Sequence, residues 1–249
     1  DVNTGAILAM VTTDGYDLNN PYELSAKDKK KIKSTPKKKQ AEAESAALSN
    51  MWRNKAVADT YMPGSVFKMC VASAALEENL VNEKTSFTCT GSILVEGETI
   101  HCSNIAGHGT QNFVEVISNS CNPAFIQIGQ MLGAGKFRQY YQGFGFSDKT
   151  GIDLPGEAEG SFWKEGKMGG VDLAVASFGQ NFTITPIQMI TACAAVSNGG
   201  YVVQPHVVSK ITDSKGNVIK TVDKKVKRQV ISDDTSKKMN EYLEYNTER

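Results

Sequence analysis

A chain of 249 residues, 40% of them hydrophobic, holds enough apolar material for one large domain or two small ones. Lysine plus arginine (27) balance aspartate plus glutamate (27), which excludes the basic surplus expected of a nucleic-acid binder. No apolar run approaches the roughly 20 residues that span a bilayer, and five cysteines are an odd number for a fully disulfide-paired domain.

Residues 1–13 (Asp1 to Thr13) read as a strand already under way after a turn, with no signal peptide, so the chain is expected to be a piece of something longer. Residues 14–50 change character. Lys27, Lys29, Lys30, Lys31 and Lys33, followed by Lys37 to Lys39, crowd a stretch with almost no apolar periodicity. A solvated, mobile insertion is expected there, in preference to a surface patch for anionic polymers, because such runs repel themselves and bury nothing.

Tyr61-Met62-Pro63-Gly64-Ser65-Val66-Phe67-Lys68 then opens an apolar, helix-favouring run to Leu80. Pro63-Gly64 fits a helix start, and Ser65 and Lys68 share one face of its first turn. A serine there lies where backbone N–H groups favour negative charge. A lysine desolvated by an apolar helix loses preference for its charged form and can serve as general base to the hydroxyl. S-x-x-K alone is a weak pattern, since many such lysines simply reach out to water.

Residues 81–111 are turn-rich, with a short β-like piece at Ser92-Ile93-Leu94-Val95, and they hold Cys89, His101, Cys102 and His108. Phe113 to Ile117 reads as a short helix. Pro123 starts another, stopped by Gly133, with a further helical piece around Phe137 to Gln142. Thr185-Pro186 opens a helix ending near Asn198-Gly199-Gly200. Tyr201 to Val222 reads as a β-hairpin turning at Asp213 to Asn217, and a last helix begins after Ser232 with Asp233 and Asp234 in its first turn.

Between the helices at 113 and 123 lies Ser120-Cys121-Asn122. A short loop held by flanking helices can aim a hydroxyl and a carboxamide into a cleft. Ser120 then relays a proton between Lys68 and a leaving group, while Asn122 holds a substrate amide and orients Lys68. On its own S-x-N is equally a helix cap.

Taken together, S-x-x-K followed by S-x-N resembles the active-site order of penicillin-binding proteins and serine β-lactamases. Ala56 to Ser65 is similar to the approach to the nucleophile in class B, monofunctional penicillin-binding proteins. Thr150 to Glu157, and Ser177-Phe178-Gly179-Gln180 with Thr185-Pro186-Ile187-Gln188, are similar to segments of their transpeptidase domains. These blocks run in the family's order over about 50 to 205.

The resemblance implies an α/β (α+β) transpeptidase fold, with a mainly antiparallel sheet flanked by helices, over residues 1–249. It implies a D,D-transpeptidase that cross-links peptidoglycan stem peptides ending in D-Ala-D-Ala. Ser65 is then the nucleophile, Lys68 its base, Ser120 a proton shuttle, and Asn122 a substrate contact. β-Lactams would acylate the same serine. A membrane anchor elsewhere, an extracytoplasmic catalytic domain, and glycosyltransferase, elongation or division partners are implied as well. The alternatives are a β-lactamase or D,D-carboxypeptidase of the same fold, and a non-catalytic penicillin-binding scaffold or sensor. The family's K-[ST]-G motif is expected after the last helix, whereas the chain stops at Arg249, so it reads as incomplete at the C-terminus. Lys149-Thr150-Gly151 spells the motif but belongs to the following loop and is not given that role.

Cys89, Cys102, His108 and Cys121 are spaced by thirteen, six and thirteen residues, which lacks the tight pairing of a zinc ribbon. As a set they are suited to a closed tetrahedral Zn²⁺ site, and His108 lies in a flexible Gly-His-Gly loop. If Ser120 and Asn122 face the cleft, Cys121 faces away from it. His108 is preferred to His101, which adjoins Cys102 and would point apart from it. Some elongation- and sporulation-type class B enzymes are similar in carrying a metal in this region. The alternatives are a Cys89–Cys102 disulfide or buried thiols acting as small hydrophobes. Cys70 and Cys193 read as core packing, and His206 as a strand-surface residue.

Overall fold

A computed structural model describes residues 1–13 and 15–247, Asn246 by its backbone alone. The molecule is built on α4 (Lys68–Glu77), which follows a 3-10 turn at Gly64–Phe67 and is buried on nearly every side. An apolar helix with no polar face has to sit inside a layer of others. It packs on α6 (Asn122–Gly143), α8 (Pro186–Ser197) and α9 (Asp233–Thr247).

Local chemistry sets the helix boundaries. α5 (Phe113–Ser118) starts in a capping box: Asn112 Oδ1 accepts from the Glu115 N–H, and Glu115 returns the bond to the Asn112 N–H. Thr185 and Gln188 do the same for α8, with Pro186 at its first position. Within α6, Gly133 takes φ 71° and ψ 159°, so the helix breaks where the sequence predicts a stop, then resumes. Beneath the 3-10 turn, Phe67 sits 4.8 Å from Phe182 and 5.3 Å from Phe146, ring centre to ring centre, in an aromatic cluster that anchors the turn to the core.

The strands form four antiparallel pairs among the described residues. β1 (Ser86–Cys89) pairs with β4 (Gly109–Asn112), placing Cys89 opposite Gly109, and β2 (Ser92–Val95) with β3 (Glu98–His101). The predicted turn at Asp213 joins β6 (Lys210–Thr212) to β7 (Val218–Thr221), its carboxylate accepting the Lys215 and Asn217 N–H groups. Tyr201 to Val222 is nevertheless not one hairpin. β5 (Tyr201–Val203) turns away and pairs with β8 (Val226–Gln229) instead. Pro205, which has no N–H to donate, separates β5 from β6.

Three further expectations are corrected. Residues 1–13 form no strand: Gly5 donates to the Asp1 carbonyl across a turn, Ala6 makes a single parallel bridge with His206 among the described residues, and Leu8 and Val11 lie open. An extended segment becomes a strand only where a second backbone takes its hydrogen bonds. His206 is correspondingly buried, not a surface residue. The lysine-rich stretch is helical, as α1 (Ala26–Ser34) and α2 (Gln40–Trp52), the first capped by Ser25. Neither helix buries a residue, but Leu24 just ahead of them is buried, so the expectation that the stretch buries nothing fails there. Lysine, alanine and glutamate favour helix without any apolar stripe. The segment closes on itself where Trp52 donates to the Pro21 carbonyl (2.6 Å) and meets Tyr22 edge to face. No helix among the described residues is long and apolar enough to cross a membrane.

Candidate active site

The 3-10 turn lifts Ser65 to the surface and sends Lys68 inward. Its height is fixed by main chain. Gly64 has φ 59° and donates its N–H to the Gly179 carbonyl (2.9 Å). A methyl group on Gly179 would collide with the Gly64 carbonyl. Tyr61 and Ile184 exchange backbone hydrogen bonds (2.9 and 3.0 Å) just before the turn. Both similarity blocks, around Ser177 and around Thr185, thus act on the Ser65 turn.

Ser65 is exposed, and among the described residues its hydroxyl has no hydrogen-bond partner. Lys68 is 4% exposed. Its Nζ donates to the Ser120 carbonyl (2.7 Å), Ser120 Oγ (2.9 Å) and Asn122 Oδ1 (2.6 Å). Those three acceptors match an ammonium's three N–H groups, and the charge sits 5.4 Å from the Phe125 ring centre. Burial lowers the Lys68 pKa to about 8, against the opposing pull of Cys102 and Cys121. A neutral amine, with a lone pair for the Ser65 hydroxyl one turn away, is therefore accessible near neutral pH.

The S-x-N loop is held in an uncommon backbone shape. Ser120 has φ 49°, a left-handed conformation that a non-glycine residue keeps only when its surroundings impose it. α5 ends just before it and α6 begins at Asn122, so two helix ends fix the loop, and Asn122 Nδ2 reaches toward the His101 carbonyl (3.4 Å). The structure thus unites Lys68, Ser120 and Asn122, with Ser65 on the same turn. Lys149-Thr150-Gly151 is engaged elsewhere. Thr150 and Gly151 wrap the Glu157 carboxylate, and Lys149 pairs with Glu159 at 3.6 Å.

Behind the loop, the ligand atoms of Cys89, Cys102, His108 and Cys121 lie within 4.8 Å of one another. The β1–β4 register brings Cys89 beside the Gly107-His108-Gly109 loop, which spacing alone could not reveal. All five cysteines are free thiols, so the Cys89–Cys102 disulfide is not formed. Cys102 Sγ lies 3.6 Å from His108 Nδ1, close to the ~3.5 Å edge of a tetrahedron with zinc–sulfur and zinc–nitrogen bonds of about 2.3 and 2.0 Å. The spacing of the four donor atoms and their chemistry fit zinc. Burial raises the Cys102 thiol, yet the Asn104 and Asn122 backbone N–H groups together with the Cys89 and Ser103 side chains lower it overall. Burial pushes the Cys121 thiol up to about 12. His101 is exposed and takes part only through its carbonyl, a contact nothing in the sequence foretold. Phe125, beneath the Lys68 ammonium, was equally unforeseen.

The pattern described as penicillin binding protein transpeptidase domain matches residues 1–249. The chain belongs to the penicillin-binding protein transpeptidase family. This transpeptidase domain is 42% identical over 196 residues to Stage V sporulation protein D of Bacillus subtilis (strain 168), covering 77% of this chain and 30% of that protein. It is 31% identical over 221 residues to the peptidoglycan D,D-transpeptidase MrdA of Acinetobacter baumannii, covering 84% and 31%. These relatives support the class B resemblance drawn from the motifs. The chain spans less than a third of the length of either relative.

The domain's fold matches that of the D,D-transpeptidase domain of a peptidoglycan glycosyltransferase from Eggerthella lenta, with a TM-score of 0.84 at 23% identity, over 100% of this chain and 60% of that one. It is also similar to penicillin-binding protein A from M. tuberculosis, solved as a ceftriaxone acyl-enzyme complex, with a TM-score of 0.78 at 26% identity over 99% and 54%. The α/β transpeptidase fold is therefore established, its sheet residues paired antiparallel as expected.

Proposed function

We propose that this chain is the catalytic domain of a serine D,D-transpeptidase that cross-links peptidoglycan. The carrying observation is Lys68, buried and bonded at once to Ser120 and Asn122, one turn from an exposed Ser65. A stem peptide ending in D-Ala-D-Ala presents its penultimate carbonyl to Ser65 Oγ. Neutral Lys68 accepts the hydroxyl proton as the C–O bond forms, and the Ser65 N–H, in the helix's first turn, faces the developing oxyanion. Ser120 passes a proton to the departing D-alanine amine as the C–N bond breaks. An amine from a neighbouring strand then attacks the ester, cedes a proton back through the same groups and frees Ser65. A β-lactam ring, opened by the same attack, leaves a stable ester on Ser65.

Such a substrate lies outside the cytoplasm, so the domain works on the cell-wall side of the membrane, beside the glycosyltransferase and elongation or division machinery. Its likeness to Stage V sporulation protein D and to MrdA supports an elongation- or sporulation-type enzyme.

Cys89, Cys102, His108 and Cys121 would hold a structural zinc ion, which supplies four fixed bonds and no reacting group. Cys121 lies between Ser120 and Asn122 and the Asn122 N–H acts on Cys102, so these ligands position the proton-relay loop.

Fluorescent penicillin applied to the full-length protein tests the enzyme reading. Covalent label on the wild type, lost in Ser65→Ala, is expected. Absence of label would favour a scaffold, and rapid release of hydrolysed penicillin a β-lactamase.

A further inference from the structure

Gln111 is the inward-facing residue of β4, 3% exposed while its strand neighbours are open. Its Oε1 accepts from Asn119 Nδ2 at 2.8 Å. Its Nε2 is buried with no hydrogen-bond partner among the described residues. A buried, unsatisfied amide donor is uncommon enough in folded proteins to require an explanation. The group its side chain stands beside is the buried Cys121, two residues on from its Asn119 partner. A thiol is a weak acceptor, whereas a thiolate accepts strongly. The orphaned N–H therefore finds its partner when Cys121 takes the form in which a cysteine ligates metal.

We propose that Gln111 is a positioning residue that donates its side-chain N–H to the metal-bound Cys121 sulfur while accepting from Asn119. The inference rests on the zinc reading above. Gln111 then grips the residues on both sides of Ser120, a non-glycine residue whose left-handed backbone has to be imposed from outside. The Asn122 N–H faces Cys102 in the same way. The loop from Asn119 to Asn122 is thus tied to the ligand set at both ends, so losing the metal frees the orphaned N–H and the catalytic hydroxyl together. Outer donors of this kind typically change metal affinity tenfold to a hundredfold.

The test uses the full-length wild type with Gln111→Leu, Gln111→Met and Asn119→Ala. Three quantities are measured: zinc as purified, by elemental analysis; zinc affinity, by competition with a chromogenic chelator; and the thiolate-to-cobalt absorption of the cobalt(II)-loaded protein. About one equivalent of zinc is expected in the wild type. Both Gln111 variants should bind zinc about 10- to 100-fold more weakly. Their cobalt band should move to longer wavelength, because a thiolate without its N–H donor holds its electrons less tightly. Asn119→Ala retains the donor and should stay within about twofold in affinity with an unmoved band, while acylation by penicillin slows. A wild type with less than about a tenth of an equivalent would sink the zinc reading itself. A zinc-bound wild type with Gln111 variants of unchanged affinity and unshifted band would overturn this inference alone. Should Gln111→Leu not fold, Gln111→Met, unbranched and matched in length, decides by the same two readouts.

Discussion

The loop from Asn119 to Asn122 and the helical pair from Ala26 to Trp52 are opposites in how they are held. The loop has few residues, and its side chains meet partners from other parts of the chain: Lys68, His101, Gln111 and the cysteine set. The helical pair is longer, carries most of the local charge and buries nothing within its two helices. Among the described residues its contacts are mainly with itself and its own flanks, such as Trp52 to Pro21 and Lys29 to Glu23. The contrast shows that placement, more than side-chain type, gives a residue its chemistry. A lysine in α1 is a solvated cation, and Lys68 is a buried amine on the edge of neutrality.

Breaking the imported contacts should therefore hurt, and breaking the local ones should not. Lys68→Ala should slow acylation by a fluorescent penicillin about 10²- to 10⁴-fold, the usual reach of a general base. Asn122→Ala removes one of three acceptors around that charge. A hydrogen bond to a charged group contributes about 1.5–3 kcal/mol, so acylation should fall about tenfold to a hundredfold in stopped-flow measurements. The pH profile sharpens the same point. Below its pKa Lys68 is protonated and cannot accept the Ser65 proton. The acylation rate should therefore climb about tenfold per pH unit and level off above about pH 8. A profile flat between pH 6 and 9 would remove Lys68 from the role of base. At the small end, replacing Lys30, Lys31 and Lys33 by alanine should leave penicillin labelling unchanged. Each replacement should shift unfolding free energy in a urea titration by no more than about 0.5 kcal/mol.

The two regions also differ in how readable they are. The candidate catalytic residues were legible because the proposed chemistry asks for a hydroxyl and an amine one turn apart, with a second polar loop between two helices. The helix starts at Asn112, Thr185 and Pro123 were legible because capping is local. Pairing is not local. Nothing near Tyr201 announces that its strand will join Val226–Gln229, and nothing near Asp1 announces that the segment finds only one bridge. The cysteines were recognisable as a donor set by type, but only the β1–β4 register closes a thirteen-residue gap around His108. Gln111 left no trace in the sequence, because an amide in a strand looks like any surface residue until its face is known. The lysine-rich stretch misled for a simpler reason: charge density argues for solvent exposure, which holds, but says little about helix, which side-chain propensity and the Ser25 cap decide.

Gly64 and Gly179 meet backbone to backbone beneath the nucleophile. Side chains on the rim of the site can therefore change without moving Ser65, whereas a carbon added at Gly179 would strike the Gly64 carbonyl and one at Gly64 would strain its left-handed backbone. If the proposed function holds, variants selected by β-lactams have room to reshape the entrance and almost none to reposition the serine, so they should gather around the mouth and spare the floor.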